Sequence, residues 1–312
     1  KDGWRIAIAR RAPRGQPRLP PVLLCHGLSA NRGNLDFGVE RYSISRALSE
    51  AGFDCFAIDL RGHGASRPAR KGAPRRWTFD TYLKEDIPTA LDEIRAATGS
   101  PQVLWVGHSQ GALLGLVAAG IHPDRIAGVV ALAPPTHYHA TDALRRLLRF
   151  AFLATGRGNR LFARALVPVA GWFHPSIAQY AMNTRNVDRR LYRQLLANPG
   201  VLRQFVEWAR RDRFVSLDGS VDYRAGLSGG RQPALFVSGA VDLLAPPDGV
   251  RAGYDMWAGE KEYWNAGREA KLSADYGHSD LIFGLRAPEE IYPRIVSFLR
   301  AHSEPAAPPA PA

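Results

Sequence analysis

The sequence predicts an α/β fold in which a mostly parallel sheet is flanked by helices and carries an inserted helical cap. Short apolar runs that end in glycine or aspartate alternate with longer amphipathic stretches along most of the chain. This alternation stops between residues 134 and 231 and then resumes, which indicates a helical segment inserted between two strands. The two observations together define the fold class.

Seven runs are predicted as strands, because each is short, apolar and rich in branched or aromatic residues, as buried parallel strands are. Their bounds are 4–9, 21–25, 54–59, 102–107, 126–132, 234–239 and 271–274. Helices are predicted where amphipathic stretches lie between or after them, at 42–51, 79–98, 110–121 and 288–302.

This pattern divides the chain into a core, a cap and a tail. Residues 1–133 and 232–303 are predicted to form the α/β core, and residues 134–231 the helical cap or lid. Residues 304–312 consist almost wholly of Pro and Ala and are predicted as a disordered tail. Residues 142–152 place leucines on one helical face with arginines largely opposite. That face suits either an acyl chain in a pocket or the packing of the cap on itself.

The formal charge of +12 is spread through every segment and is interpreted as compositional bias. No aromatic-and-basic pattern and no zinc-ligand spacing accompanies it, so neither nucleic-acid binding nor a metal site is expected. Cys25 and Cys55 lie inside predicted strands and are expected to be free, buried thiols. No apolar run is long enough to span a membrane. The compartment is left open between the cytoplasm and secretion, with the cytoplasm favoured, and no oligomeric state is predicted.

The segment Gly107-His108-Ser109-Gln110-Gly111 lies between a predicted strand and a predicted helix. This is the context in which G-x-S-x-G forms a sharp turn that presents a nucleophilic serine. The glycines are required because the turn is strained and neighbouring backbones come close to it. A serine that merely caps the helix is the alternative, and the surrounding pattern favours the nucleophile.

A serine hydroxyl needs a base, and the base needs an orienting acid. Asp242 follows a predicted strand directly, and His278 follows the last predicted strand. The order Ser109, Asp242, His278 is that of the α/β-hydrolase fold. Asp248 is the alternative acid, although the position of Asp242 right after the strand favours it. Asp280 is interpreted as a cap of a helix or loop.

Two backbone N–H groups are predicted to form the oxyanion hole, those of Leu28 and Gln110. Leu28 lies in the loop after an early strand, in the segment His26-Gly27-Leu28, and Gln110 begins the helix behind the serine. His26 is expected to shape this loop and not to take part in the chemistry.

These motifs resemble the acid lipases, the group that contains gastric and lysosomal acid lipase, within the α/β-hydrolases. The resemblance implies the same fold, the triad Ser109, Asp242 and His278, and the oxyanion amides of Leu28 and Gln110. The segments that carry it are 2–6, 26–28 with Asn31, 45–52, 61–62, 77–80, 86–88, 106–111, 278–284 and 287–289.

The histidine segment and residues 218–223 are also similar to polyhydroxyalkanoate synthases, which use a cysteine nucleophile. Serine at position 109 favours hydrolysis, so the predicted function is a cofactor-independent serine esterase or lipase acting on small lipophilic esters. A lipid interface is a candidate partner. A polyester depolymerase or an acyltransferase with the same triad is the alternative, and a non-enzymatic lipid-surface binding protein is a more distant one.

Overall fold

A computed structural model describes residues 2–15, 19–28, 30–36, 40–137 and 199–303. The strands in this part of the chain are β1 (Trp4–Arg5), β2 (Ala7–Arg11), β3 (Val22–Cys25), β4 (Cys55–Asp59), β5 (Arg67–Pro68), β6 (Val103–His108), β7 (Ile126–Leu132), β8 (Ala234–Gly239) and β9 (Lys261–Ala266). The α-helices are α1 (Ile44–Glu50), α2 (Phe79–Thr81), α3 (Ile87–Thr98), α4 (Gln110–Ile121), α5 (Pro199–Arg211), α6 (Tyr223–Gly226), α7 (Pro247–Met256), α8 (Asp280–Phe283), α9 (Ala287–Glu290) and α10 (Tyr292–Ala301).

Seven strands form one sheet in the order β2-β4-β3-β6-β7-β8-β9. Only β2 runs antiparallel, against β4, and the remaining neighbours are parallel. Strands β3, β4, β6 and β8 are buried along their whole length, as expected for parallel strands covered by helices on both faces. The predicted α/β architecture is therefore confirmed, and the carboxyl ends of six parallel strands meet at one edge of the sheet.

The predicted strand at 271–274 is wrong, and the last strand of the sheet is β9 at Lys261–Ala266. Residues 268–270 instead form a 3₁₀ turn, and Lys271 has a φ of 62° that no strand adopts. Strand β9 lies at the edge of the sheet, and five of its six residues are only partly buried. Its sequence Lys-Glu-Tyr-Trp-Asn-Ala therefore lacks the apolar run on which the prediction depended.

Three further predicted elements are interrupted in the structure. The helix predicted at 79–98 changes to a π-helix at Tyr82–Asp86, between α2 and α3. The strand predicted at 4–9 breaks at Ile6: β1 pairs with β5 in a separate ribbon, and β2 joins the main sheet. The helix predicted at 288–302 divides into α9 and α10, each of which has a proline in its first turn. Proline is favoured at that position and disfavoured inside a helix, which accounts for the division.

A buried ion pair supports the loop after β4. The guanidinium of Arg61, with 2% of its side chain exposed, lies 2.6 Å from the fully buried carboxylate of Asp86 and also binds Asp2. The backbone N–H of Arg61 donates to Asp86 as well, at 2.8 Å. This network fixes the path of the chain beyond the carboxyl end of β4.

Part of the predicted cap is described, and it contacts the core through Asp80. One oxygen of this carboxylate accepts hydrogen bonds from the side chains of Gln204 and Tyr223, and the other accepts from the N–H of Leu217. Phe79 packs edge-on against Trp208 of α5. The helix predicted at 142–152, residue His139 and the tail at 304–312 lie outside the described residues, so the cap and tail boundaries stay predictions.

Within the described ranges, no helix is both long and apolar enough to cross a membrane.

Candidate active site

Ser109 lies at a strained turn between β6 and α4. Its φ of 53° and ψ of −116° fall in a region that side-chain-bearing residues rarely adopt. The turn is held from both sides: the N–H of Ser109 donates to the carbonyl of Leu132 on β7, and the Ser109 carbonyl accepts from Ala112 and Leu113 in α4. The side chain of Ser109 is partly exposed, whereas its neighbours His108 and Gln110 are buried. The turn therefore presents the serine hydroxyl outward.

The glycines around Ser109 are required by close backbone contacts. A Cβ on Gly111 would lie 2.0 Å from the carbonyl oxygen of Cys25, and one on Gly107 would lie 2.3 Å from the carbonyl oxygen of Gly111. The same Gly111 carbonyl accepts a hydrogen bond from the indole of Trp105 at 3.0 Å. Strand β3, strand β6 and helix α4 thus meet at Gly111 with no room for a side chain.

We expect Gly111→Ala to prevent stable folding or to cost several kcal/mol, because the clash is with backbone atoms that cannot rotate away. Gly120→Ala is the matched control, since Gly120 is exposed near the end of the same helix and a Cβ there has no atom closer than 3.6 Å. The control should be neutral or stabilising by up to about 1 kcal/mol. Urea unfolding of both variants measures the difference, and equal effects would contradict the packing described for Gly111.

The structure brings Asp242 and His278 together. The Nδ1 atom of His278 lies 2.7 Å from Oδ2 of Asp242, and the two side chains are 8% and 0% exposed. The other oxygen of Asp242 accepts from the N–H groups of Leu244 and Ala245 at 2.8 and 3.0 Å. Asp242 follows β8 at the carboxyl edge of the sheet, where Ser109 also lies. The carboxylate is therefore fixed at both oxygens, one of them facing the imidazole.

Asp248, the alternative acid, is placed differently. It lies in the first turn of α7, where its side chain accepts a hydrogen bond from Gly249. Among the hydrogen bonds of the described residues, none joins Asp248 to His278, whereas Asp242 makes that bond directly.

His108 connects the serine turn to the loop that carries His278, a contact that could not be predicted from the sequence. Its Nε2 lies 2.9 Å from the carbonyl oxygen of His278, and the two rings are 4.7 Å apart. A carbonyl only accepts, so Nε2 of His108 carries the proton and donates. Burial places the pKa of His108 well below its ordinary value, so the ring is neutral. This bond holds the His278 backbone against the residue that precedes Ser109.

The loop after β3 lies directly against the serine turn. A Cβ on Gly27 would be 3.4 Å from Cβ of Ser109 and 3.1 Å from Nδ1 of His108. Leu28, the next residue, is half-buried. Asn34, which sequence analysis did not single out, accepts from the Gly27 N–H at 3.0 Å. The predicted oxyanion residue Leu28 thus follows a glycine that contacts the serine turn.

Gln110, the other predicted oxyanion residue, is the first residue of α4, where backbone N–H groups have no carbonyl of the same helix to bind. Its side chain is fully buried, and neither amide atom has a hydrogen-bond partner among the described residues.

His26 braces the Gly27 loop as a neutral ring. Its Nε2 accepts from the Leu60 N–H at 3.1 Å, so Nδ1 carries the proton and donates to the carbonyl of Gly27 at 2.8 Å. Complete burial lowers the pKa of His26 to about 3. Both ring nitrogens are engaged by backbone, as expected of a residue that shapes the loop.

Asp280 lies behind His278. One of its oxygens accepts from the N–H of Gly277 at 2.8 Å, and the other has no partner among the described residues. Burial, together with the nearby charge of Asp242, raises the pKa of Asp280 to about 7. Its bond to Gly277 agrees with the expectation of a loop cap.

We expect acid to destabilise the fold. Burial lowers the pKa values of His26, His63 and His108, so these rings bind protons only after unfolding, and stability falls as the pH drops below about 6.5. Asp280 and Asp86, whose pKa values burial raises to about 7 and about 6, oppose this because they hold protons in the folded state.

Unfolding lets three histidines bind protons and releases protons from two carboxyl groups, so the unfolded state binds about one proton more than the folded state. The free energy of unfolding should therefore fall by on the order of 1 kcal/mol per pH unit between about pH 6 and about pH 4. Urea titrations at several pH values measure this slope. Stability that is flat or rises toward pH 4 would contradict the neutral, buried state of the histidines.

Comparison with known proteins decides the family. Residues 20–285 match the family described as the alpha/beta hydrolase fold. The chain belongs to this family. The fold class predicted from the sequence is thereby confirmed by an observation independent of the sheet topology.

Three curated relatives of this α/β-hydrolase confirm the resemblance to acid lipases. Lipase member K of Homo sapiens is 24% identical over an alignment that covers 97% of this chain and 86% of the relative. Gastric triacylglycerol lipase of Homo sapiens is 32% identical over 48% of this chain and 41% of its own. Lysosomal acid lipase/cholesteryl ester hydrolase of Homo sapiens is also 32% identical, over an alignment that covers 43% of this chain and 37% of the relative. These relatives support a hydrolase of the esterase or lipase type.

Two solved structures share the fold of the α/β-hydrolase. The enol-lactonase of Burkholderia xenovorans LB400 superposes with a TM-score of 0.65 at 21% identity, covering 96% of this chain and 98% of that one. A thermophilic esterase of Thermogutta terrifontis superposes with a TM-score of 0.63 at 20% identity, and the superposition covers 96% of this chain and 94% of the esterase chain.

The described residues contain no group of three or more His, Cys, Asp or Glu side chains that could hold a metal ion. Nδ1 of His137, at the start of the predicted cap, lies 3.3 Å from the hydroxyl of Thr136.

Proposed function

We propose that this α/β-hydrolase is a serine carboxylic-ester hydrolase that cleaves lipophilic esters through an acyl-enzyme on Ser109. The observation that carries the proposal is the 2.7 Å bond between Asp242 and Nδ1 of His278, on a loop that His108 ties to the serine turn. A serine, an aspartate and a histidine that follow three different strands of one sheet supply the nucleophile, acid and base that ester hydrolysis needs, which supports this proposal.

The Asp242 bond sets the proton positions of the base. A carboxylate accepts, so Nδ1 of His278 carries the proton and Nε2 is left with a lone pair. Nε2 takes the proton of the Ser109 hydroxyl as the oxygen attacks the acyl carbon. The imidazolium that forms is stabilised by Asp242, whose other oxygen is already bound by two backbone amides.

The negative charge on the acyl oxygen is received by the N–H groups of Leu28 and Gln110, each contributing about 3 kcal/mol. His278 then protonates the departing alcohol, and the C–O bond of the ester breaks to leave the acyl group on Ser109. Water, deprotonated by the same histidine, attacks the acyl-enzyme and releases the carboxylic acid. The cycle regenerates the free serine and needs no cofactor.

The substrate class comes from the relatives, whose names include triacylglycerol and cholesteryl esters. A panel of p-nitrophenyl esters from acetyl to palmitoyl tests it, with a poly(3-hydroxybutyrate) suspension as the polyester alternative. We expect turnover that is higher for medium or long acyl chains than for acetyl. Absence of turnover with every ester would contradict the proposed activity, and clearing of the polyester alone would replace it with a depolymerase.

A further inference from the structure

The segment 67–76 is an exposed run of positive charge outside the catalytic residues. Its sequence, Arg-Pro-Ala-Arg-Lys-Gly-Ala-Pro-Arg-Arg, holds five cations and no acidic residue. All five cationic side chains are exposed, as is Arg5, which lies opposite Arg67 in the β1–β5 ribbon. We name this set the cationic platform; its members are Arg5, Arg67, Arg70, Lys71, Arg75 and Arg76.

The platform concentrates six cations that have no carboxylate within salt-bridge distance among the described residues, whereas unpaired arginines on other elements are dispersed along the chain. Arginines on other elements are commonly paired, as Arg10 is with Asp54, Arg46 with Glu40 and Glu50, and Arg294 with Glu262. None of the platform residues takes part in an ion pair of this kind. Neighbouring unpaired cations repel one another, so the site gains free energy when an anionic partner approaches.

The backbone under the platform is fixed by contacts with the start of the chain. The N–H of Ala69 donates to the carbonyl of Gly3 at 2.8 Å, and the indole of Trp4 donates to the carbonyl of Pro74 at 2.9 Å. The Trp4 ring packs edge-on against Trp77 at 5.2 Å. The charges therefore stand on a folded ribbon whose position relative to the sheet is set.

The ribbon lies beyond the carboxyl edge of the sheet. Ser66, the residue before β5, donates to the carbonyl of Asp59 at the end of β4 and accepts from the N–H of Ala7 at the start of β2. Strand β3, which leads into the Leu28 loop, is the parallel neighbour of β4. The platform thus lies at the carboxyl edge of the sheet, the same edge at which Ser109 lies.

We infer that the cationic platform docks the enzyme on an anionic lipid surface, with phosphate-bearing headgroups as its ligands. The inference rests on the proposed function, since a lipophilic ester resides in such a surface. Nucleic acid has the same charge, but single-strand sites combine cations with exposed aromatic faces, and here Trp77 is buried and Trp4 packs against it. The exposed uncharged residues between the platform cations include Pro68, Ala69 and Pro74, and none of them is aromatic.

Vesicle sedimentation tests the inference, with phosphatidylcholine vesicles made with and without phosphatidylglycerol. Four platform residues are changed together in one variant: Arg70→Gln, Lys71→Gln, Arg75→Gln and Arg76→Gln. A control variant changes four exposed arginines on other elements, also without a carboxylate partner among the described residues: Arg14→Gln, Arg95→Gln, Arg203→Gln and Arg268→Gln. The loss of net charge is the same in both.

The unchanged enzyme should sediment with the anionic vesicles only, and binding should weaken in roughly 0.5 M salt because exposed charges are screened. The platform variant should bind at least about a hundredfold more weakly, since each cation near an anionic surface contributes roughly a fivefold factor. The control should stay within a few fold of the unchanged enzyme. Turnover of soluble p-nitrophenyl butyrate should be unaffected in both.

Equal losses in the two variants would overturn the inference, because bulk charge would then explain binding. Tighter binding of the platform to a DNA or RNA oligonucleotide than to the anionic vesicles would also overturn it, in favour of nucleic acid. Failure of the soluble-ester assay with intact vesicle binding would refute the proposed function and leave the docking surface standing.

Discussion

Ser109→Ala should lower kcat for ester hydrolysis by at least about 10⁴-fold, because no other hydroxyl stands at the strained turn between β6 and α4. The residual rate would come from substrate binding and the oxyanion amides alone. The variant should fold normally, since alanine removes only the oxygen and the backbone bonds of the turn are kept. Turnover of a p-nitrophenyl ester, with thermal unfolding measured in parallel, gives both results.

Ser228→Ala is the matched control for this prediction, since that serine is exposed near the end of the predicted cap and its hydroxyl donates to the Ala225 carbonyl. Its activity should stay within twofold of the unchanged enzyme. If Ser109→Ala retained more than about a tenth of the activity, the acyl-enzyme mechanism would be refuted.

Asp242→Asn should reduce kcat by roughly 10³- to 10⁴-fold while the fold is kept. The N–H groups of Leu244 and Ala245 hold an oxygen at the Oδ1 position, so the new NH₂ group must face Nδ1 of His278. Nδ1 is then forced to accept, which leaves the proton on Nε2 and removes the base. The loss therefore comes from the wrong tautomer and not from a missing contact.

Asp248→Asn is the discriminating comparison, because Asp248 is the other acid that the sequence left open. Its described bond goes to the N–H of Gly249 at the start of α7, so the change should alter kcat by less than about threefold. Steady-state kinetics on the two variants measures the ranking. The reverse ranking would move the role of triad acid to Asp248.

The central sheet could be predicted because its strands are buried on both faces. The runs ending at Cys25, Asp59 and Leu132 consist of apolar residues that have no alternative to burial. Strand β9 could not be found in this way, since an edge strand of half-exposed Lys, Glu, Tyr, Trp and Asn has no contrast between faces. Strand β9 forms because it pairs with β8, and this pairing joins segments that are distant along the chain.

The strained turn at Ser109 could be predicted because its signal is local: a strand, two glycines at fixed spacing and a helix. The supporting contacts are not local. His108 reaches the carbonyl of His278, Asn34 holds Gly27, and Arg61 is buried between Asp86 and Asp2 only because distant segments fold together. A single sequence does not record which buried polar groups will meet.

The choice between the two candidate acids also depends on contacts that the sequence does not record. Asp242 and Asp248 are six residues apart, and each is compatible with a loop after a strand. Their surroundings differ because of the direction of the chain after β8, which carries Asp248 into the first turn of α7 and leaves Asp242 facing the imidazole of His278.

Covalent trapping with a long-chain alkyl fluorophosphonate, followed by peptide mass spectrometry, tests the central claim most directly. The account predicts one adduct, on the peptide that contains Ser109, which is absent in Ser109→Ala and forms far more slowly in Asp242→Asn. An adduct on another residue, or undiminished ester hydrolysis by enzyme whose Ser109 is fully labelled, would contradict it.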